Sequence, residues 1–212
     1  MQAVVRFTIA IGLVACGHDA VEPPPPDGPA MGTSGLTIPW TASPDLPGQV
    51  GSNITVSSMV FRLDSLRVVG DTGTNITHGA LALQWSSGQT PPPTVFSDAP
   101  SGIYSKVVFH ADGQLVDYSW EIDGTVALAD GTHSFAIHDL MDLSVSIETS
   151  ATLAPGGTAV LGVTFQMDQV FDGLDFTALD NDDGLLVLDT DDTAMTDFRT
   201  NLQQSIVPSP LE

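Results

Sequence analysis

Ala159, Leu161, Val163, Phe165 and Met167 fall at strict period two, and no other feature restricts the fold of this chain as tightly. Side chains alternate between opposite faces only in extended backbone, because a strand repeats every two residues and a helix every 3.6. The same alternation recurs in Leu81, Leu83 and Trp85, in Val116, Tyr118, Trp120 and Ile122, and in Leu143, Val145 and Ile147. Turn signals separate these segments: Gly70-Asp71-Thr72-Gly73, Asp112-Gly113, Asp123-Gly124, Asp130-Gly131 and Pro155-Gly156-Gly157. Short strands with such signals roughly every eight to twelve residues predict an all-β fold, a sandwich or a barrel.

Several segments refine that expectation. Asn53 to Leu63 carries Ile54, Val56 and Val60 on one parity and Met59, Phe61 and Leu63 on the other, the pattern of a strand buried on both faces at its end. A bend at Asp64-Ser65 leads into Leu66–Val69, and Pro100-Ser101-Gly102 opens a strand over Ile103–Ala111. Asp123-Gly124 and Asp130-Gly131 predict turns before strands Thr125–Ala129 and Thr132–His138. One short C-terminal helix is expected. Met195, Phe198, Leu202 and Ile206 have helical spacing, Asp191-Asp192 supply an N-cap and complement the helix dipole, and Pro208 ends it.

The first residues follow a different logic. Arg6 precedes an apolar run from Phe7 to Val14, and small residues lead into Cys16, the single cysteine of the 212-residue chain. A positive start, a short apolar run and small residues make a secretory signal. The run is too short to span a bilayer core, which takes about 20 residues. The ending Leu13-Val14-Ala15-Cys16 resembles the lipobox of bacterial lipoproteins, which implies lipidation of Cys16 and cleavage before it. Gly17 stands where an aspartate would retain such a protein at the inner membrane, so the implied address is the cell envelope, at the outer membrane where the cell has one. The expected organisation is a signal peptide over 1–15, a lipidated cysteine and proline-rich tether over 16–50, and a sandwich domain over 51–212. Trp40 and Ile38 leave two readings open, a first edge strand of the domain or part of the tether.

Charge narrows the partners. The chain has 26 acidic and 5 basic side chains, and loss of Arg6 with the signal leaves 4 basic ones. Repulsion at this density disfavours nucleic acid and anionic lipid surfaces, leaving the membrane reached through the lipid and an unidentified protein or glycan as partners. Once Cys16 is lipidated no thiol remains, so packing alone must hold the domain.

The acids concentrate in residues 168–197, where Asp180, Asp182, Asp183, Asp189 and Asp191 are the candidate metal ligands. Calcium takes six to eight oxygens from closely spaced, irregular backbone. An EF-hand does not fit, because Gly184 at the sixth position would put Leu179 first and Thr190 last, where acids are required. Two readings stand for this segment, a calcium site or solvated turns plus a helix cap. His78, His110, His133 and His138 contain no His-Glu-x-x-His pair. They are isolated side chains, or His110 joins another across strands. Trp85, Trp120 and Tyr118 are either core or a sugar-stacking platform. No Gly-x-Ser-x-Gly, no Ser-x-x-Lys around Lys106, no phosphate loop and no dinucleotide fingerprint occur, so the expected role is noncatalytic.

A wider resemblance covers most of residues 54–206. Its parts are Met59–Val69, Ala99-Pro100-Ser101-Gly102-Ile103-Tyr104, Leu153-Ala154-Pro155-Gly156-Gly157 before Ala159–Met167, Phe171-Asp172-Gly173-Leu174-Asp175, and a closing helix around Asn201-Leu202. Together they resemble bacterial surface lipoproteins with a single β-sandwich domain of unknown function. A more distant likeness is to the methanobactin-associated periplasmic copper protein, whose central aromatic stretch is reduced here to Tyr118-Ser119-Trp120. The resemblance implies an Ig-like or transthyretin-like antiparallel β-sandwich on a lipid anchor with no activity attached; the sequence as a whole reads as a noncatalytic binding or structural module. The alternative reading of the sequence is a metal-binding lipoprotein, with calcium ranked before copper.

Overall fold

A computed structural model describes residues 35–71, 73–112 and 118–209. The expected all-β sandwich with a short helix near the C-terminus is the fold of the protein. Its strands are β1 (Gly35–Ile38), β2 (Trp40–Ser43), β3 (Gly48–Val50), β4 (Ile54–Gly70), β5 (Asn75–His78), β6 (Leu81–Trp85), β7 (Thr94–Phe96) and β8 (Gly102–Ala111). They continue with β9 (Trp120–Leu128), β10 (Gly131–Asp139), β11 (Leu143–Leu153), β12 (Thr158–Val160) and β13 (Val163–Gln166). A single helical turn, α1 (Met167–Val170), precedes β14 (Asp180–Asp182) and β15 (Leu185–Leu188), and α2 (Thr193–Ser205) runs into β16 (Ile206–Pro208).

The large sheet has the order β11-β8-β4-β9-β10-β15-β14, with β3, β5 and β6 also paired to β4. Two three-stranded sheets, β16-β13-β2 and β12-β1-β7, complete the fold. The core shows how the layers meet. Phe165 of β13 packs on Phe61 of β4 at 5.0 Å and on Trp85 of β6 at 5.1 Å. Trp40 of β2 meets Phe109 of β8 edge-on at 5.8 Å. Helix α2 stacks Phe198 on Trp120 of β9 at 5.7 Å. Aromatic pairs at these separations add to the burial of area itself.

Strand β4 explains the apolar residues on both parities of its sequence. It is not buried on both faces. The buried positions are Val56, then Met59, Phe61 and Leu63, then Leu66 and Val68, so the inward parity changes twice. Each change coincides with a register shift, at Val56/Ser58 against β9 and at Leu63/Ser65 against β8. A bulge adds one residue to one strand and turns the following side chains to the other face.

The domain begins earlier than residue 51. Leu36, Ile38, Trp40, Leu46 and Val50 are all buried, and Trp40 Nε1 donates to Thr94 Oγ1 at 3.0 Å. Residues 35–50 therefore belong to the sandwich and not to a tether. Most strand pairs are antiparallel as expected, while β1–β12, β2–β13 and β10–β15 are parallel.

Asp123-Gly124 is not a turn. Strand β9 passes straight through it, pairing Gly124 with Val56 on one side and Phe135 on the other. Trp120, Ile122 and Val126 point inward, and at Gly124, which shares their parity, Thr55 O and the Phe135 ring occupy the space a side chain would need. Helix α2 follows its predicted spacing through Met195, Phe198 and Leu202, whereas Ile206 starts β16. Asp192 is the N-cap residue, yet its carboxylate accepts from Asp189 N at 2.7 Å instead of capping the helix. Tyr104 is buried at the start of β8 and donates through its hydroxyl to Pro100 O at 2.6 Å; burial pushes its phenol pKa up.

A buried ion pair joins α2 to the sheet. Asp139 ends β10 with no exposed surface. Arg199 donates to it from Nε at 2.6 Å and from Nη2 at 3.0 Å, and Met141 N adds a third bond at 3.0 Å. A forked guanidinium matches a carboxylate in this way where an ammonium does not.

Two substitutions test these contacts by chemical and thermal unfolding. Gly124→Ala would bring a Cβ against Thr55 O and within 2.7 Å of Phe135 Cζ, so a loss of about 1–3 kcal/mol is expected from overpacking. Unchanged stability would mean that neither Thr55 O nor the Phe135 ring fills that space. Arg199→Met should cost about 3 kcal/mol, because it strands a buried carboxylate. Asp139→Asn in the same background should recover part of that loss.

Candidate functional site

The loop from Asp172 to Leu179 and one side of α2 enclose a cavity of about 380 Å³. Its construction starts with two aromatic anchors. Phe171 and Phe176 are buried and pack on Phe135 of β10 at 5.9 and 5.2 Å, and Phe171 also meets Phe198 of α2 at 5.8 Å. The chain between the anchors must arch outward. Gly173 takes a φ of 76°, a left-handed conformation that costs glycine little, and Leu174 N bonds to Phe171 O at 3.2 Å.

Asp175 fastens the next turn, accepting from Thr177 N at 2.9 Å and Thr177 Oγ1 at 2.6 Å. The Thr177 hydroxyl, then its N–H, hold the Asp175 carboxyl below the usual carboxylate range. Across the gap, Asn201 Nδ2 donates to Asp172 O at 2.7 Å and ties the helix to the loop. The inner lining is apolar, with Phe198 buried and Leu174 and Leu179 half-buried, while Asp172, Asp175 and Asp197 are exposed.

The five aspartates singled out in the sequence are not brought together. Asp180 and Asp182 lie on β14, opposite Val187 and Leu185 of β15. Asp183 and Gly184 form the turn between these strands, with φ of 49° and 95°, and Asn181 Oδ1 accepts from Gly184 N at 2.8 Å. Asp189 and Asp191 follow β15, so the length of that strand separates them from Asp182 and Asp183. Asp189 Oδ1 accepts from Thr190 N at 2.7 Å and faces His138 Nε2 at 3.6 Å. Among the described residues no group of three or more His, Cys, Asp or Glu side chains is placed to hold a metal ion. Cys16 and His18 lie outside the described residues.

The histidines face carboxylates or backbone. His110 Nδ1 is 2.9 Å from Asp64 and its Nε2 is 3.7 Å from Asp142. His133 Nε2 is 2.9 Å from Asp130, which it holds below its usual pKa, chiefly by that hydrogen bond. His78 Nδ1 lies 2.9 Å from Gly79 O. Trp85 and Trp120 are core residues, so neither can form a sugar-stacking surface. Tyr118 is half-buried, with its ring 4.1 Å from that of His138.

Sequence reasoning missed the cavity because its walls come from segments that show no common pattern. The one local signal was Phe171-Asp172-Gly173-Leu174-Asp175-Phe176, with aromatic residues bracketing a glycine and two acids. Comparisons with protein-family models, curated proteins and solved structures give no match, which leaves the geometry of the domain and the N-terminal sequence as the guides to function.

Proposed function

We propose that this chain is a lipid-anchored, noncatalytic binding module of the cell envelope, a sandwich held near a membrane by acyl chains on Cys16. The observation that carries the reading is the sequence Leu13-Val14-Ala15-Cys16-Gly17 placed ahead of a domain whose first strand starts at Gly35. The intervening stretch includes Pro23-Pro24-Pro25-Pro26. At the ~3.1 Å per residue of a polyproline chain, it is long enough to hold the domain tens of ångströms from the lipid. A single acyl chain gives marginal membrane binding, and stable anchoring takes more than one.

The acidic excess supports a role in recognition more than in membrane contact. With 26 acids in the chain, the domain is repelled by anionic lipid headgroups and drawn to cationic partners. The cavity between α2 and the 172–179 loop supplies a concave place where such recognition would occur.

Cys16→Ser tests the anchor directly, since serine offers no thiol for alkylation. Cells fed radiolabelled palmitate should label the wild-type chain and leave the variant at background, with the variant lost from the membrane fraction. Equal labelling of both chains would overturn the proposal.

A further inference from the structure

We propose that the cavity between α2 and the 172–179 loop binds a small amphiphilic organic cation, an ammonium group carried on an apolar stem. The ammonium would lie among Asp172, Asp175 and Asp197, and the stem against Leu174, Leu179 and Phe198. The inference rests on the reading of the domain as a binding module and is independent of the lipid anchor.

Charge complementarity is the first argument. The cavity lining holds three carboxylates and no basic side chain. Of the Arg and Lys side chains among the described residues, Arg62, Lys106 and Arg199 pair with Glu121, Glu148 and Asp139, and Arg67 lies on β4, outside the lining. The positive charge that balances this lining therefore comes from outside the lining itself.

Size is the second. The space is about 380 Å³, within the range of small-molecule pockets, and its three aspartates form no group able to hold a metal ion. Carboxylates spread around a space of this size suit an extended organic cation better than a point charge.

The gradient of polarity is the third. Phe198 is 2% exposed, Leu174 and Leu179 are half-buried, and the three acids are exposed. An apolar stem gains by burying its surface at the inner end, while its ammonium stays hydrated among the exposed carboxylates. Neither a bare ammonium ion nor a neutral apolar molecule satisfies both ends. The walls are also largely pre-set, through the Asp175–Thr177 turn and the bond from Asn201 to the Asp172 carbonyl, which limits the ordering cost of binding.

Titration of the full chain in detergent micelles with 2-phenylethylammonium, followed by calorimetry and by NMR, tests the proposal. 2-Phenylethanol, with the same stem and no charge, should bind at least tenfold more weakly, as should ammonium ion. Asp172→Asn combined with Asp197→Asn should weaken 2-phenylethylammonium at least tenfold. Asp180→Asn with Asp182→Asn, an equal change in net charge outside the cavity, should alter it less than twofold. Ala194→Phe, which enters the cavity from α2 without removing a carboxylate, should abolish binding. Equal loss in the two asparagine pairs, or equal affinity for the alcohol and the ammonium, would overturn the proposal. The same titrations on Cys16→Ser should give the same affinities, so failure of the anchor and failure of the site are read separately.

Discussion

Strand β4 is the constraint on which the rest of the structure depends. It pairs with β3, β6 and β5 and also with β9 and β8, so every part of the large sheet takes its register from one segment of backbone. A strand of that length with a single inward parity would present one continuous apolar face. The two bulges divide it into three stretches, and each sends its own side chains into the core. Phe61 lies in the middle stretch and contacts both Phe165 of the small sheet and Trp120 under α2. Removing either bulge would turn the side chains beyond it toward solvent.

Helix α2 depends on that sheet and organises what lies above it. One face buries Met195, Phe198 and Leu202, which ties the helix to β9 through Trp120. Arg199 reaches the buried carboxylate of Asp139 at the end of β10. The adjoining side, with Ala194, Asp197 and Asn201, walls the cavity. Three functions share thirteen residues because a helical repeat of 3.6 presents a core face, a flank and a solvent face in turn. The ion pair is an expensive way to fix a helix, since desolvating both charges offsets much of their attraction. What it adds is orientation, because a bidentate fork sets the rotation of α2 and with it the direction of Asp197.

The parts legible in the sequence were those governed by local periodicity. Leu81–Trp85 and Leu143–Ile147 alternate because one face of each is buried, and Met195–Leu202 repeats as a helix for the same reason. The alternation from Ala159 to Met167, by contrast, is not one strand: β12 and β13 join different small sheets on either side of Leu161-Gly162, and Met167 opens α1. Where a side chain is absent or a partner is distant, the pattern failed. Gly124 looks like a turn residue, and only its pairing with β4 and β10, which sets Thr55 O and the Phe135 ring where a Cβ would lie, makes it an interior one. The parity of β4 seemed doubly apolar because a bulge leaves no mark on composition. Residues 35–50 looked like linker since β1 and β2 are four residues each and gain their burial from strands far along the chain. Among the functional features, the acidic clusters around β15 were visible as composition, but which acids share a space is decided by where Phe171 and Phe176 anchor their loop.

The parallel pairing of β1 with β12 and of β2 with β13 has a kinetic consequence. Thr41 hydrogen-bonds to Val163 across 122 positions, so β2 has no strand partner until most of the chain exists, and β1 has β7 on one side only until β12 is made. Closing loops of that length before any contact rewards them is slow, and folding rates fall as contacts become less local. A chain that passes through a membrane beginning with its N-terminus would therefore remain extended while it travels. Only when β12 and β13 emerge can the two small sheets close, and the N-terminal strands are then among the last parts to become rigid.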